Sequence, residues 1–190
     1  MKIDKSSKTE LTRIFLVQGL PKPLTRASRH LQLFDNYVAN TRIRMRTVRD
    51  PETREWKRSL QQRIPAAENE ISVINISEIV LNEEEYAQFR IFEGSEIRKN
   101  RYFHEYGGKV FELDVYLGTL WGLNMARVGF EEMYEMREFE PPPFLITEVT
   151  NDPFFAGETL VLKTFAEVET EVLRLGVAYD ASKDDVRPYM

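Results

Sequence analysis

Three arginines alternate with apolar residues in the segment 41–47, TRIRMRT. Because successive side chains of a strand point to opposite faces, Arg42, Arg44 and Arg46 share one face and the intervening apolar residues share the other. Guanidinium groups stay ionised, and they repel one another unless water or a concentrated negative charge faces them. The pattern therefore predicts either a sheet edge with a solvated basic face or a strand that lines a phosphate site.

Two later segments show the same separation of charge from apolar residues. Lys99 and Arg101 fall on one face of a predicted strand, and Glu112 and Asp114 fall on one face of the next. Strands with a single charged face fit a barrel with a polar interior better than a flat sheet. The pattern thus favours a barrel that brings basic and acidic side chains together inside.

The elements that must position these residues are mostly strands. β-branched and aromatic residues bounded by turn residues predict strands or extended segments over 10–17, 31–38, 41–47, 55–63, 71–81, 96–104, 110–117, 123–131 and 144–150. We expect Pro65 to end the fourth of these, because proline cannot donate to a ladder. Helices are predicted after Asn82, to about Phe92, and over 159–175, where apolar residues such as Leu162 recur at helical spacing.

Length and composition limit the fold and its partners. The 190 residues suffice for one domain, which we place at 10–176 between a flexible start, 1–9, and a loose tail, 177–190. The net charge of −5 and the pI near 5.3 argue against a protein that coats nucleic acid, so a basic site must be local. Without cysteine the chain has no disulfide and no thiolate nucleophile.

The sequence has neither an apolar run long enough for a membrane helix nor the apolar centre of a signal peptide at its start. We therefore expect no membrane partner and a cytoplasmic location.

The order of motifs resembles the CYTH family, the triphosphate tunnel metalloenzymes. The segment 10–17, ELTRIFLV, stands where that family has its opening E-x-E-x-K strand. The resemblance covers residues 10 to 160 and continues through the strand pair formed by FDNY at 34–37 and TRIRMR at 41–46, then SLQQRIP at 59–65, KNRY at 99–102, ELDV at 112–115 and EVTNDP at 148–153. Any one of these motifs is weak evidence, but six in the right order are fairly specific.

The resemblance implies an α+β fold in which an antiparallel eight-stranded β-barrel, or tunnel, has helices packed outside it. It further implies that basic residues inside hold a triphosphate and that carboxylates hold a divalent metal, magnesium. The phosphate ligands so implied are Arg42, Arg44, Arg46, Arg63, Lys99, Arg101 and Arg127. The metal ligands so implied are Glu10, Glu112 and Asp114.

The chain departs from the family pattern at the metal site. Thr12 and Ile14 stand where the opening motif has a carboxylate and a lysine, and Arg127 and Gly129 replace two carboxylates of a later strand. Because magnesium requires hard oxygen ligands, the remaining carboxylates predict a depleted site. We expect the Arg127 side chain either to enter the tunnel near the metal position or to pair with Glu112 or Asp114.

Three functions remain open from the sequence. The first is a domain that binds triphosphate, polyphosphate or another phosphorylated molecule, with hydrolysis weak or lost. The second is a metal-dependent phosphohydrolase with a rearranged site in which Glu148 substitutes as base. The third is a non-catalytic structural or interaction protein. The two histidines, His30 and His104, have no partner pattern that predicts catalysis, so we interpret them as surface or packing residues.

Overall fold

The computed structural model describes residues 5–67, 70–92 and 94–177. The described strands are β1 (Lys5–Val17), β2 (His30–Tyr37), β3 (Ile43–Arg49), β4 (Trp56–Ala67), β5 (Glu70–Leu81), β6 (Ser95–Tyr106), β7 (Lys109–Tyr116), β8 (Asn124–Phe130) and β9 (Leu145–Glu148). The described α-helices are α1 (Glu83–Phe89), α2 (Met133–Glu138), α3 (Gly157–Leu160) and α4 (Phe165–Arg174).

Two predicted segments fall wholly or partly outside the described residues. Residues 1–4 of the predicted flexible start and 178–190 of the predicted tail are not described, whereas residues 5–9 belong to β1. Within the described part of the chain, no helix has both the length and the apolar character needed to span a membrane.

Antiparallel pairing closes eight of the described strands into a barrel. The strands run in the order β5-β4-β3-β2-β6-β7-β8-β1, and β1 pairs with β5 to complete the ring. β1 can do this because its first half, Lys5–Leu11, pairs with β5 while Leu11–Leu16 pairs with β8 on the other edge. β9 joins the end of β1, and the helices lie outside the ring. The predicted fold class is confirmed.

Pro65 does not end its strand, so that prediction was wrong. β4 continues to Ala67, with a shift of register against β5 between these two residues. Among the described residues β3 pairs with β4 only as far as Gln62, and the last bond on that side runs from the Arg63 N–H to the Arg42 carbonyl. The nitrogen of Pro65 faces the side of β4 on which the pairing with β3 has already ended. Its missing N–H therefore costs no hydrogen bond between these strands.

The predicted helix over 159–175 is interrupted. α3 ends at Leu160 and α4 begins after Thr164, whose side chain forms a capping box with Glu167. Leu162 lies between the two helices and is 72% exposed, so it does not dock as its spacing predicted. Val168 and Val172 of α4 are buried, as expected for the apolar face of an amphipathic helix.

An apolar cluster, which we call the end cap, closes one end of the barrel. Its members from the C-terminal part of the chain pack on side chains at the corresponding ends of the barrel strands. These residues are Phe155, Leu160, Val168 and Val172 from the C-terminal part and Leu16, Ile97, Tyr116 and Met125 from the strands. A second cluster covers the outer face of β1, β7 and β8, with Phe15, Leu113 and Val128 among its buried members. The barrel therefore has one capped end.

The burial of Leu160 predicts a large difference between two neighbouring leucines. Leu160 is fully buried in the end cap, so Leu160→Ala should lower the free energy of unfolding by about 2–5 kcal/mol through lost burial and a cavity. Leu162→Ala, the matched control, should change it by no more than about 0.5 kcal/mol. Urea unfolding followed by circular dichroism measures both, and equal losses would contradict the placement of the end cap.

Candidate functional site

The barrel register turns six of the seven predicted phosphate ligands into one cavity. Opposed strand residues share a face, so the pairing of Arg46 with Asp35 and of Arg101 with Asp114 fixes which side chains point inward. The cavity, which we call the inner cavity, has a volume of about 130 Å³. Its basic lining residues among those described are Arg44, Arg46, Arg63, Lys99, Arg101 and Arg127.

Arg42 lies apart from this group. It precedes the first residue of β3 and is exposed, in a surface groove that Leu162 also lines. Tyr37 and Glu158 line both that groove and the inner cavity, so they form the wall between the two. Arg42 lies outside the strand, so the alternation within β3 does not carry its side chain into the inner cavity.

A fully buried carboxylate, Asp35 of β2, holds the arginines of β3. Arg46 donates two hydrogen bonds to it, from Nε and from Nη2, each 2.6 Å long, and Arg44 Nη1 lies 3.4 Å from Oδ2. Lys99 Nζ lies 3.9 Å from Oδ2. Burial by itself raises the pKa of Asp35, but the charges of Arg44 and Arg46 outweigh it and hold the pKa well below the usual range. Asp35 is therefore ionised and acts as a shared counter-ion.

Sequence reasoning did not select Asp35 as a site residue. A signal was available, because Asp35 is a lone acid among the apolar and aromatic residues Leu33, Phe34 and Tyr37, directly before the arginine strand. A carboxylate that is destined for burial requires a cationic partner. The pairing of β2 with β3 supplies that partner, and this pairing is a tertiary fact.

The acidic strand β7 pairs antiparallel with the basic strand β6. Arg101 donates to both oxygens of Asp114, over 2.7 and 2.8 Å, and its Nη1 lies 2.6 Å from Glu112. Lys99 Nζ lies 2.6 Å from Asp114. Burial raises the pKa of Asp114, but the two cations outweigh this and lower it well below normal. For Lys99, burial dominates and lowers the pKa to about 8, although Asp114 opposes the shift.

Glu10 of β1 completes the set of carboxylates. It receives a short hydrogen bond from Arg127, and Lys8 Nζ lies 2.8 Å away. Arg127 therefore pairs with Glu10, not with Glu112 or Asp114 as one expectation had it. Burial raises the pKa of Glu10, and the charges of Arg127 and Lys8 bring it to about 2.

Arg63 has the weakest compensation of the basic groups in the inner cavity. Among the described residues its carboxylate partner is Glu10, whose Oε2 lies 3.9 Å from Arg63 Nη1. Burial, followed by repulsion from Arg44 and Arg127, lowers its pKa to about 9. The guanidinium stays charged near neutral pH. An added anion would therefore offset the burial and the repulsion of Arg63 more than those of the other cations.

The predicted metal ligands are each engaged by a cationic side chain. Among the described residues no three carboxylate or histidine side chains converge as a metal-binding group. Glu10 is bound by Arg127, and Asp114 and Glu112 are bound by Arg101. Because magnesium needs several free oxygens in near-octahedral arrangement, it would have to displace these arginines first. The donor set therefore does not fit a resident magnesium ion.

Three other candidates from the sequence lie away from the cavity. Glu148 binds Arg13 on the outer face of the barrel through hydrogen bonds of 2.5 and 3.0 Å. Ring contacts place His30 against Tyr102, with centroids 5.0 Å apart, and His104 against Phe144, at 5.3 Å. Neither histidine lines the inner cavity, which agrees with their interpretation as packing residues.

A wider space, which we call the outer chamber, opens at the barrel end opposite the end cap. Its volume is about 780 Å³, and Lys8, Thr12 and Lys109 are among its lining residues. Arg46 and Arg101, together with Arg127, line both the outer chamber and the inner cavity, so these arginines lie between the two spaces. The hydroxyl of Thr12 is buried there without a hydrogen-bond partner among the described residues.

No protein-family model matches the chain. An inorganic triphosphatase from Nitrosomonas europaea is 37% identical over 71 residues, which are 37% of this chain and 47% of the relative. The chain thus spans about half the length of the curated relative it matches.

The solved structures extend this likeness to most of the chain. A crystal structure of an inorganic triphosphatase superposes with a TM-score of 0.55 and 25% identity, over 81% of this chain and 95% of the other. A second crystal structure of the same protein gives a TM-score of 0.56 over 82% and 99%. The barrel has the triphosphatase tunnel fold. These likenesses support the resemblance to the triphosphate tunnel family that the motifs indicated, and the barrel interior is called the tunnel from here on.

The lowered pKa of Glu10 predicts how stability depends on pH. A carboxyl group whose pKa is lowered in the folded protein stabilises the fold at pH values above its ordinary pKa of 4.5. It loses that contribution as the pH falls through about 2. Glu10→Gln should therefore lower the free energy of unfolding near neutral pH, by about 1–3 kcal/mol, and the deficit should shrink towards about pH 2. Urea unfolding at several pH values measures this. Glu96→Gln, in the largely exposed pair with Arg98, should show little effect at any pH.

Proposed function

We propose that the tunnel binds a triphosphate or polyphosphate chain through its cationic side chains, and that it hydrolyses the chain weakly or not at all. The observation that carries this proposal is the excess of cations in the inner cavity, above all the poorly compensated Arg63. Guanidinium groups bind phosphate oxygens through two parallel hydrogen bonds, and they do so best where water is scarce. A phosphate chain supplies the concentrated negative charge that this arrangement lacks.

The proposal of weak hydrolysis rests on how the carboxylates are engaged. A metal ion in such a site would polarise a phosphoryl oxygen and lower the pKa of a bound water. Here the carboxylates already neutralise arginines, and the Arg127 guanidinium occupies the neighbourhood of Glu10. Ile14, which lines the inner cavity, offers no proton acceptor where the family resemblance implies a lysine. Arginine neutralises phosphate charge but does not activate water.

Metal-dependent triphosphate hydrolysis is the second candidate. It is favoured by the likeness in sequence and fold to inorganic triphosphatases. Under this alternative, Glu10, Glu112 and Asp114 would hold magnesium, which would polarise a phosphoryl oxygen of the substrate.

Calorimetric titration with tripolyphosphate, with EDTA and then with magnesium, separates the two candidates when phosphate release is measured in parallel. Binding in EDTA with little release under either condition supports the proposal. Rapid release that requires magnesium supports the second candidate. If neither binding nor release occurs, the domain is structural and the proposal falls.

The placement of the arginines predicts opposite results for two single substitutions. Arg63→Ala should weaken tripolyphosphate binding about 10- to 100-fold, because it removes a charge-assisted contact worth about 1.5–3 kcal/mol. Arg42→Ala, the matched control outside the cavity, should leave the affinity within about twofold. Isothermal titration in EDTA measures both, and an equal loss in the two variants would contradict the assigned wall between Arg42 and the inner cavity.

The role proposed for Arg127 predicts a gain of metal dependence when carboxylates replace it. Gly129 has open space beside it, since an added Cβ would meet no atom within 4 Å. The double variant Arg127→Glu, Gly129→Glu should bind tripolyphosphate more weakly in EDTA and regain affinity with magnesium, because it exchanges a fixed cation for oxygen ligands. Titration with and without magnesium, with phosphate release measured in parallel, tests this. Behaviour identical to the parent would show that Arg127 does not contact the ligand.

A further inference from the structure

We infer that Gln61 of β4 is a positioning residue for the proposed phosphate site, and that it orients Arg44 without neutralising its charge. The inference rests on the proposed function and deepens it. A carboxylate that fixes a guanidinium also offsets its charge, whereas an amide oxygen fixes it and leaves the charge for a ligand. The inference is carried by the hydrogen bonds between the two side chains, by the support that Glu78 gives to Gln61 and by the weak contact of Arg44 with Asp35.

Gln61 and Arg44 are hydrogen-bonded to each other through their side chains. The register of β4 with β3 places them directly opposite, and both are buried. The amide oxygen of Gln61 accepts from Nε of Arg44 over 3.1 Å and forms a shorter hydrogen bond with Nη2. A guanidinium that donates from both of these nitrogens has a fixed orientation. Gln61 is not among the described lining residues of the inner cavity, so it acts through Arg44 and not on a ligand directly.

Glu78 of β5 fixes the direction in which the Gln61 amide faces. The two residues are opposite each other in the pairing of β4 with β5, and Nε2 of Gln61 donates to Oε1 of Glu78 over 2.5 Å. Burial raises the pKa of Glu78, but hydrogen bonds from Gln61 and Ser59 outweigh it and lower the pKa below its usual value. An ionised carboxylate can only accept hydrogen bonds. The amide nitrogen therefore stays towards Glu78, and the amide oxygen stays towards Arg44.

The carboxylate that Arg44 contacts is already engaged by another arginine. Arg44 Nη1 lies 3.4 Å from Oδ2 of Asp35, whereas Arg46 donates two hydrogen bonds of 2.6 Å to the same carboxylate. Glu78 stands on the far side of the Gln61 amide from Arg44, and Coulomb attraction weakens with distance. Arg44 is thus held in place as Arg46 is, but it retains more of its positive charge.

The charge that Arg44 retains acts on its neighbour Arg63. Burial, followed by repulsion from Arg44, lowers the pKa of Arg63 to about 9. A carboxylate in place of the Gln61 amide would reduce this repulsion, and it would reduce the attraction of the site for an anion by the same means. The amide preserves both. A cation that is oriented in advance and not neutralised binds an anion without a further cost of ordering.

An exchange of the two supporting side chains tests the role of charge. The double variant Gln61→Glu, Glu78→Gln keeps the net charge of the chain, and the new carboxylate can accept from both Arg44 and the new amide. It moves the negative charge from the far side of the amide to the guanidinium itself. Calorimetry in EDTA should show tripolyphosphate bound about tenfold more weakly, while the midpoint of urea unfolding should not fall. Affinity equal to that of the parent in the folded variant would overturn the inference.

A double-mutant cycle tests whether Gln61 acts through Arg44. Gln61→Leu removes the amide with little change of size and should weaken tripolyphosphate binding about fivefold or more. Gln62→Leu is the matched control, because Gln62 is the next residue of β4 but lines the surface groove, and its effect should stay within about twofold. In an Arg44→Ala background, Gln61→Leu should weaken binding by less than about twofold. An equal loss with and without Arg44, or no loss in either background, would overturn the inference.

Failure of the inference is distinguishable from failure of the proposed function. If the parent protein does not bind tripolyphosphate, both fall together. If the parent binds it and the exchange variant or Gln61→Leu binds it equally tightly, the inference alone falls. If one of these variants does not fold, the other decides.

Discussion

Buried positive charge is the constraint on which the interior of this barrel depends. Arginines and a lysine that point into a closed ring of strands lose water, and their mutual repulsion grows as the effective dielectric falls. The barrel meets this cost with carboxylates from other strands: Asp35 of β2, Asp114 of β7 and Glu10 of β1. Each ion pair crosses between strands, so the same contacts that neutralise the charge also hold the strands in register.

The way in which charge is neutralised also shapes the chemistry. A carboxylate that is bound to an arginine is a poor magnesium ligand, and an arginine fixed by a carboxylate is a well-oriented phosphate ligand. Asp114 lines the inner cavity, Asp35 and Glu10 pair with arginines that line it, and Arg63 retains the least compensation. This arrangement favours holding a phosphate chain over activating water to cleave it.

The apolar clusters define the space in which these charges act. The cluster on the outer face of β1, β7 and β8 leaves the inner face of the barrel to polar side chains. The end cap, which includes Phe155 and Leu160, closes one end and leaves the outer chamber at the other. Because burial of apolar surface is non-directional, these clusters can form without satisfying hydrogen bonds, and the polar interior can be specified separately by ion pairs. The result is a polar barrel interior that lies between the end cap and the outer chamber.

The sequence by itself determined the strands, their charged faces and most of the basic residues of the tunnel. It could do so because side-chain alternation is a local property of a strand, as Arg44 with Arg46 and Lys99 with Arg101 show. Only the tertiary structure decided that Asp35 is the shared counter-ion, that Arg127 pairs with Glu10, that Arg42 stays outside and that Pro65 is tolerated within β4. Each of these depends on which strands are neighbours and where their pairing stops. Contacts between residues that are far apart in the chain decide both. The end cap likewise depends on contacts between the C-terminal helices and the ends of the barrel strands, which no local pattern contains.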